Sequence, residues 1–156
     1  MESIKLTVKE LKTIEKVVAE FVKELEIDGS FSVVENGELI DVIMETRDTG
    51  IVIGYHGEIL DSLQLTLSLA IAKQLGRFIR VSLEVDGYKK NRIEYLQNLA
   101  EQVKDKALNE NKEQVLMSLK PWERRVIHVY LQNDDQVTSE SSGEGRERVL
   151  LVKPKA

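Results

Sequence analysis

Val52-Ile53-Gly54-Tyr55-His56-Gly57-Glu58-Ile59-Leu60-Asp61-Ser62-Leu63 decides how this chain is read. An apolar run ends in two glycines with two residues between them, and an amphipathic helix starts directly behind. Ile59, Leu60, Leu63, Leu67, Ala70 and Ile71 recur at helical steps, and Gly76 marks the stop. Glycine removes the side chain where a backbone must come close to another group. The helix that follows offers free N–H groups and the positive end of its dipole, which suits phosphate. Between the glycines, Tyr55 supplies a ring to pack on a sugar or base and His56 supplies a donor. The stretch Ile53 to Gly57 suits a single-stranded backbone better than a duplex groove. A bare Gly-x-x-Gly also marks an ordinary turn before a helix, so the surroundings must decide.

Upstream, Leu11, Ile14, Val17, Val18, Phe21, Val22 and Leu25 predict a helix over about 7–26, with Thr7 and Glu10 as a capping box. Asp28-Gly29 ends it. Phe31 to Glu35 and Leu39 to Glu45 read as two strands joined by Asn36-Gly37, a strong hairpin signal, and Asp48, Thr49 and Gly50 break the second. Downstream, Phe78 to Val85 reads as a third strand and Asp86-Gly87 as a turn. A charged helix over about 88–111 follows, with Ile93, Leu96, Leu99, Ala100, Val103 and Ala107 inward. The expected domains are 1–87, then a connecting helix 88–112, then 113–156.

The last segment carries a second constellation. Val115 to Leu119 reads as a strand, Pro121 sits at the first turn of a helix running to Leu131, and Val137 to Ser142 and Arg148 to Val152 read as strands around Gly143-Glu144-Gly145. Arg124 and His128 are four apart and share a helix face. A guanidinium gives phosphate a planar fork, and the imidazole adds a ring and a donor. The alternative is an Arg124 paired with a local carboxylate and a half-buried His128. Lys89, Lys90 and Arg92 make a small basic cluster near a helix start, or a solvated face.

Val52-Ile53-Gly54-x-x-Gly57-x-x-Leu60-x-x-Leu63 resembles the KH signature, in which the glycine loop joins two short helices. The element order is similar to the bacterial type II KH arrangement, whose loop clamps about four nucleotides of single-stranded RNA. Pro121 to His128, the polar 137–145 segment and Arg148 to Pro154 resemble the small domain named for its Arg-x-x-x-His, a binder of single-stranded nucleic acid. The tandem resembles the Jag family of bacteria, also called SpoIIIJ-associated or KhpB proteins, over about residues 8–154. That resemblance implies an α+β fold, a type II KH domain (helix-strand-strand-helix-helix-strand) followed by the Arg-x-x-x-His domain. It places contacts at Gly54 to Gly57, and at Arg124 and His128 with Arg125 beside them and Arg148 in support. The 86–92 junction, with Lys89, Lys90 and Arg92, matches a family feature. It implies a single-stranded RNA partner, or single-stranded DNA, a small single-KH protein or a second copy as protein partner, and a link to post-transcriptional control or to cell-envelope elongation or division. Many members carry a further N-terminal domain, which this chain is expected to lack. Many KH loops hold basic residues between the glycines. Tyr55 and His56 stand there instead, so ion pairing to phosphate is lost and a KH fold serving only as a protein-interaction scaffold is the alternative.

Composition agrees with a binder and not an enzyme. The chain has no cysteine and only two histidines, which excludes thiolate and multi-histidine metal sites, and no cofactor is expected. Gly143-Glu144-Gly145 lacks the spacing of a dinucleotide loop, and Ser139, Ser141 and Ser142 have no base-and-orienter pattern. Met1 to Lys5 opens no leader-like run and no stretch reaches membrane-spanning length, so a cytoplasmic location is expected. Net charge is −5, yet residues 115–156 hold seven Lys/Arg against six Asp/Glu. Any nucleic-acid site must be local and geometric. Arg124→Ala with His128→Ala is expected to weaken binding and leave folding intact.

Overall fold

A computed structural model describes residues 5–37 and 39–156, so the chain opening (1–4), where no leader was read, lies outside the described residues. The chain divides into two compact units, 1–89 and 90–156.

In the first unit α1 (Val8–Glu24) opens with the expected capping box: Thr7 N–H donates to Glu10 Oε2 at 2.8 Å, and Glu10 N–H donates to Thr7 Oγ1 at 3.2 Å. β1 (Gly29–Asn36) and β2 (Leu39–Thr46) form the antiparallel hairpin, with Asn36 paired to Leu39 and Gly37 at φ +64°. Asn36 itself is paired, so the loop begins at Gly37, one residue later than the Asn36-Gly37 loop expected, and glycine takes the positive φ there without steric cost. The segment 48–50, expected only to break the strand, instead leads into a short helix, α2 (Thr49–Ile53). A single 3₁₀ turn, Tyr55–Gly57, joins it to α3 (Glu58–Leu75), which Gly76 ends at φ +69°. β3 (Arg80–Val85) then pairs parallel to β2, giving the order β1-β2-β3. The strand was expected to start at Phe78, but Phe78 lies outside it and is 69% exposed. Ile79 has the same parity as Val81, Leu83 and Val85, and it is Ile79 that is buried. Ile40, Val42 and Met44 of β2 join this row, with Ile14 and Val18 of α1 and Leu60, Leu67 and Ile71 of α3, in one core.

α4 (Tyr88–Glu110) was expected to connect two domains. From residue 90 it belongs to the second unit, because Leu96, Ala100 and Ala107 are fully buried in that unit's core. β4 (Gln114–Leu116) is shorter than the 115–119 strand expected, since Ser118 takes φ +60°. α5 (Pro121–Leu131) starts with proline in its first turn, β5 (Val137–Ser142) follows, and β6 (Val149–Pro154) lies between β4 and β5, antiparallel to both. Ile127 and Leu131 of α5 pack with Val137, Leu150 and Val152.

Candidate nucleic-acid interface

Two sites emerge, one in each unit. In the first, the glycine loop is built as the spacing demands. Gly54 has φ +69° and ψ −171°, and a Cβ there would lie 2.6 Å from the Ile59 side chain. Gly57 has φ +73° and a Cβ would lie 2.9 Å from the Tyr88 ring. His56 also takes a left-handed conformation, φ +51° and ψ +29°. Tyr55 is 76% exposed, and its ring stacks on that of His56 with centroids 4.1 Å apart. The loop therefore presents a paired-ring platform. Behind it the N-cap of α3 is Gly57, which has no side chain to cap the helix, and Glu58 and Asp61 add negative charge in the first turn. The site can stack against a flat ring and donate from backbone; it brings no cationic side chain between its glycines.

The second site is cationic. Pro121, Arg124, Arg125, His128, Ser141 and Arg148 line a groove of about 470 Å³. Arg124 is only 9% exposed and pairs with carbonyls rather than with a carboxylate: Nη1 donates to Leu119 O at 2.6 Å and Arg148 O at 3.4 Å. No buried side-chain nitrogen or oxygen among the described residues lacks a partner, and Arg124 lines the groove while its Nη1 is tied to the backbone. His128 is exposed, not half-buried, and its Nδ1 lies 2.8 Å from Ser139 Oγ. With the hydroxyl donating, the proton sits on Nε2, which becomes a donor for a ligand. Arg125 and Arg148 are exposed or partly so, and Arg148 sits just before β6 instead of on it. Four nitrogen-rich side chains thus converge on one groove, and one is fixed in place by the backbone. A phosphate-sized anion fits this chemistry.

In the basic cluster expected near residue 90, Lys89 and Arg92 each have a partner of their own. Lys89 Nζ donates to Ser82 Oγ at 2.9 Å and Gln64 Oε1 at 3.2 Å. Arg92 Nε instead pairs at 2.7 Å with Glu123 Oε1, a carboxylate 1% exposed, and stacks over Tyr95. Glu123 Oε2 also accepts the Lys120 N–H at 2.9 Å, so this pair fixes the start of α5 under Arg124. Lys90 is exposed. Sequence reasoning missed Pro121, Ser139 and Ser141. The strand alternation Val137, Ser139, Ser141 carried the signal for the two serines, since the first of the three is buried under α5.

Residues 12–85 match the KhpA/KhpB KH domain, and residues 94–154 match the domain named for its Arg-x-x-x-His motif. The chain is 33% identical over 150 residues to a Clostridium symbiosum protein named RNA-binding protein KhpB, covering 92% of this chain and 68% of that protein. The chain belongs to the KhpB family. Family members from Streptococcus pneumoniae serotype 2 and Bacillus subtilis carry the same name. They are 28% and 30% identical over 97% and 67% of this chain, which spans about half the length of each, 48% and 51%. The type II KH fold followed by the Arg-x-x-x-His domain is the architecture expected. Among the described residues no helix is long and apolar enough to cross a membrane.

Proposed function

We propose that the chain binds single-stranded RNA, with the Arg124–His128 groove as its main phosphate grip and the Gly54–Gly57 loop as a stacking site, and that it catalyses no reaction. The observation that carries this reading is the convergence of Arg124, Arg125, His128 and Arg148 on one groove in a chain whose net charge is negative. Bulk attraction is absent, so affinity has to come from fixed local donors. Two modest sites on one chain raise overall affinity without new contacts. Family membership supports the RNA partner, and the cytoplasm, with control of transcripts serving cell-envelope elongation or division, is the setting this reading adopts.

Titration with short unstructured oligoribonucleotides tests it. Arg124 is tied to two carbonyls, so Arg124→Ala is not the clean probe the sequence suggested: it leaves backbone acceptors unpaired. The exposed pair Arg125→Ala with His128→Ala is the better variant. Each lost charge-assisted bond is worth about 1.5–3 kcal/mol, so affinity falls by about tenfold or more with the fold intact. Unchanged affinity removes the groove from the account. A deoxy strand of the same sequence reads out dependence on the 2′-hydroxyl.

A second reading, a KH–KH interaction with a small single-KH protein or a second copy, is favoured by the outer face of α3. Leu65 and Leu69, one turn apart, are both more than half exposed. Sizing of the chain alone and with such a partner tests it; a monomer under both conditions removes it.

A further inference from the structure

We infer that a second groove on α5, beside the Arg124–His128 groove, takes an unpaired nucleobase of the same strand. This rests on the reading that the first groove grips phosphates. The second groove has a volume of about 540 Å³, and its walls include Ile93 and Gln97 of α4, Trp122, Val129 and Tyr130 of α5, and Arg125. Arg125 also lines the first groove.

The helix explains the adjacency. Successive residues turn by about 100°, so Pro121, Arg124 and His128 share one face while Trp122 and Val129 stand about a third of a turn further round. Arg125 lies on the border between the two faces. On a helix about 10–12 Å across, that separation is about 10 Å of surface, a span that a phosphodiester and its attached base can bridge.

The walls specify the occupant. Ile93, Val129 and Tyr130 are 37%, 50% and 42% exposed, so apolar and aromatic surface is offered to solvent in a groove and not sealed in the core. Tyr130 is held in place, its hydroxyl donating to Glu101 Oε1 at 2.9 Å. Gln97 adds an amide that can donate to or accept from a base edge. The volume falls in the range of sites for small flat ligands. An apolar peptide laid here would cover the Arg125 charge without neutralising it. A nucleotide brings its own phosphate to Arg125 along with the ring. Continuity with the phosphate groove and charge complementarity at the shared arginine both favour the nucleotide.

The chain's single tryptophan lies in this groove and is half-buried, which supplies the readout. The full chain is used throughout with Tyr55→Ala, which removes the ring platform of the glycine loop so that any remaining base increment comes from elsewhere. It is titrated with short oligoadenylate and with a base-free ribose-phosphate strand of equal length, following tryptophan emission and affinity. The expected result is tighter binding of oligoadenylate, by about fivefold to a hundredfold, the effect of one base stacking on an aromatic wall, with a change in emission that the base-free strand does not cause. Ile93→Gln with Val129→Gln keeps good helix formers on α4 and α5. This double variant abolishes both the increment and the emission change and leaves base-free affinity as it was. Equal affinity for the two strands with unchanged emission overturns the nucleobase groove alone. So does an increment that survives in the double variant, which places the base elsewhere. If neither strand binds, the phosphate grip fails and this inference falls with it.

Discussion

The KH loop and the arginine–histidine groove, the two sites of the proposed reading, are built by opposite physical means. The loop has two glycines at positive φ, one exposed ring pair and an uncapped helix start, with carboxylates rather than cations beside it. The groove has four cationic or imidazole side chains, and one of them, Arg124, is buried and fixed by backbone carbonyls. The first relies on the absence of side chains; the second relies on side chains whose positions are fixed by other contacts. On the reading proposed, a chain of net negative charge confines its cationic grip to the second unit and offers the first unit's loop as a site without cations.

The largest expected effect strikes the support of the groove. Glu123→Ala removes the buried partner of Arg92 and the acceptor of the Lys120 N–H together. Breaking such a pair costs about 3 kcal/mol, so denaturant unfolding followed by Trp122 emission shifts to a clearly lower midpoint. An unchanged midpoint means that the pair does not hold the start of α5.

Next comes the loop. Gly57→Ala forces a Cβ against the Tyr88 ring at a left-handed φ of +73°. The strain is about 1–2 kcal/mol, lowers the stability of the KH unit, and weakens binding of stacked strands without touching the groove. Wild-type stability and affinity in this variant imply that the loop relaxes freely and is no rigid platform.

The smallest effect concerns acid. Hydrogen bonding from the Lys104 ammonium, and then from the Gln136 and Val137 N–H groups, holds the Asp134 carboxyl below its usual range. In the first unit the Thr7 N–H and the Arg77 guanidinium do the same for Glu10. A depressed folded pKa gives stability that is fully present above the unfolded value, about 4, and is lost as pH falls through the folded one. Both units therefore lose stability below about pH 4, and Asp134→Asn flattens that loss in the second unit only. A melting temperature that falls equally steeply with acid in Asp134→Asn contradicts this assignment.

Local signals made much of this legible. The Thr7–Glu10 box, the glycine loop and Pro121 in the first turn of a helix each act within a few residues, and spacing alone reveals them; the hairpin was legible too, with its loop one residue later than Asn36-Gly37. What stayed hidden depends on partners far along the chain. Arg92 and Glu123 are 31 residues apart, and nothing in the 88–92 stretch says that its arginine will be claimed. Lys89 is likewise held by Ser82 and Gln64. The backbone ties of Arg124 depend on where Arg148 ends a turn, and the apolar groove needs α4 and α5 side by side. Ile79 rather than Phe78 opens the core row of β3, a one-residue shift that strand parity could have settled.

The salt dependence of single-stranded RNA binding tests the division of labour most directly. For single strands the slope of log affinity against log salt is about −0.7 per neutralised phosphate, so the wild-type chain gives about −2 to −3 if the groove holds three or four. Arg125→Ala with Arg148→Ala makes the slope shallower by about 1.4, while Tyr55→Ala weakens binding at every salt concentration and keeps the wild-type slope. A flattened slope in Tyr55→Ala, or an unchanged slope in the arginine variant, contradicts the account.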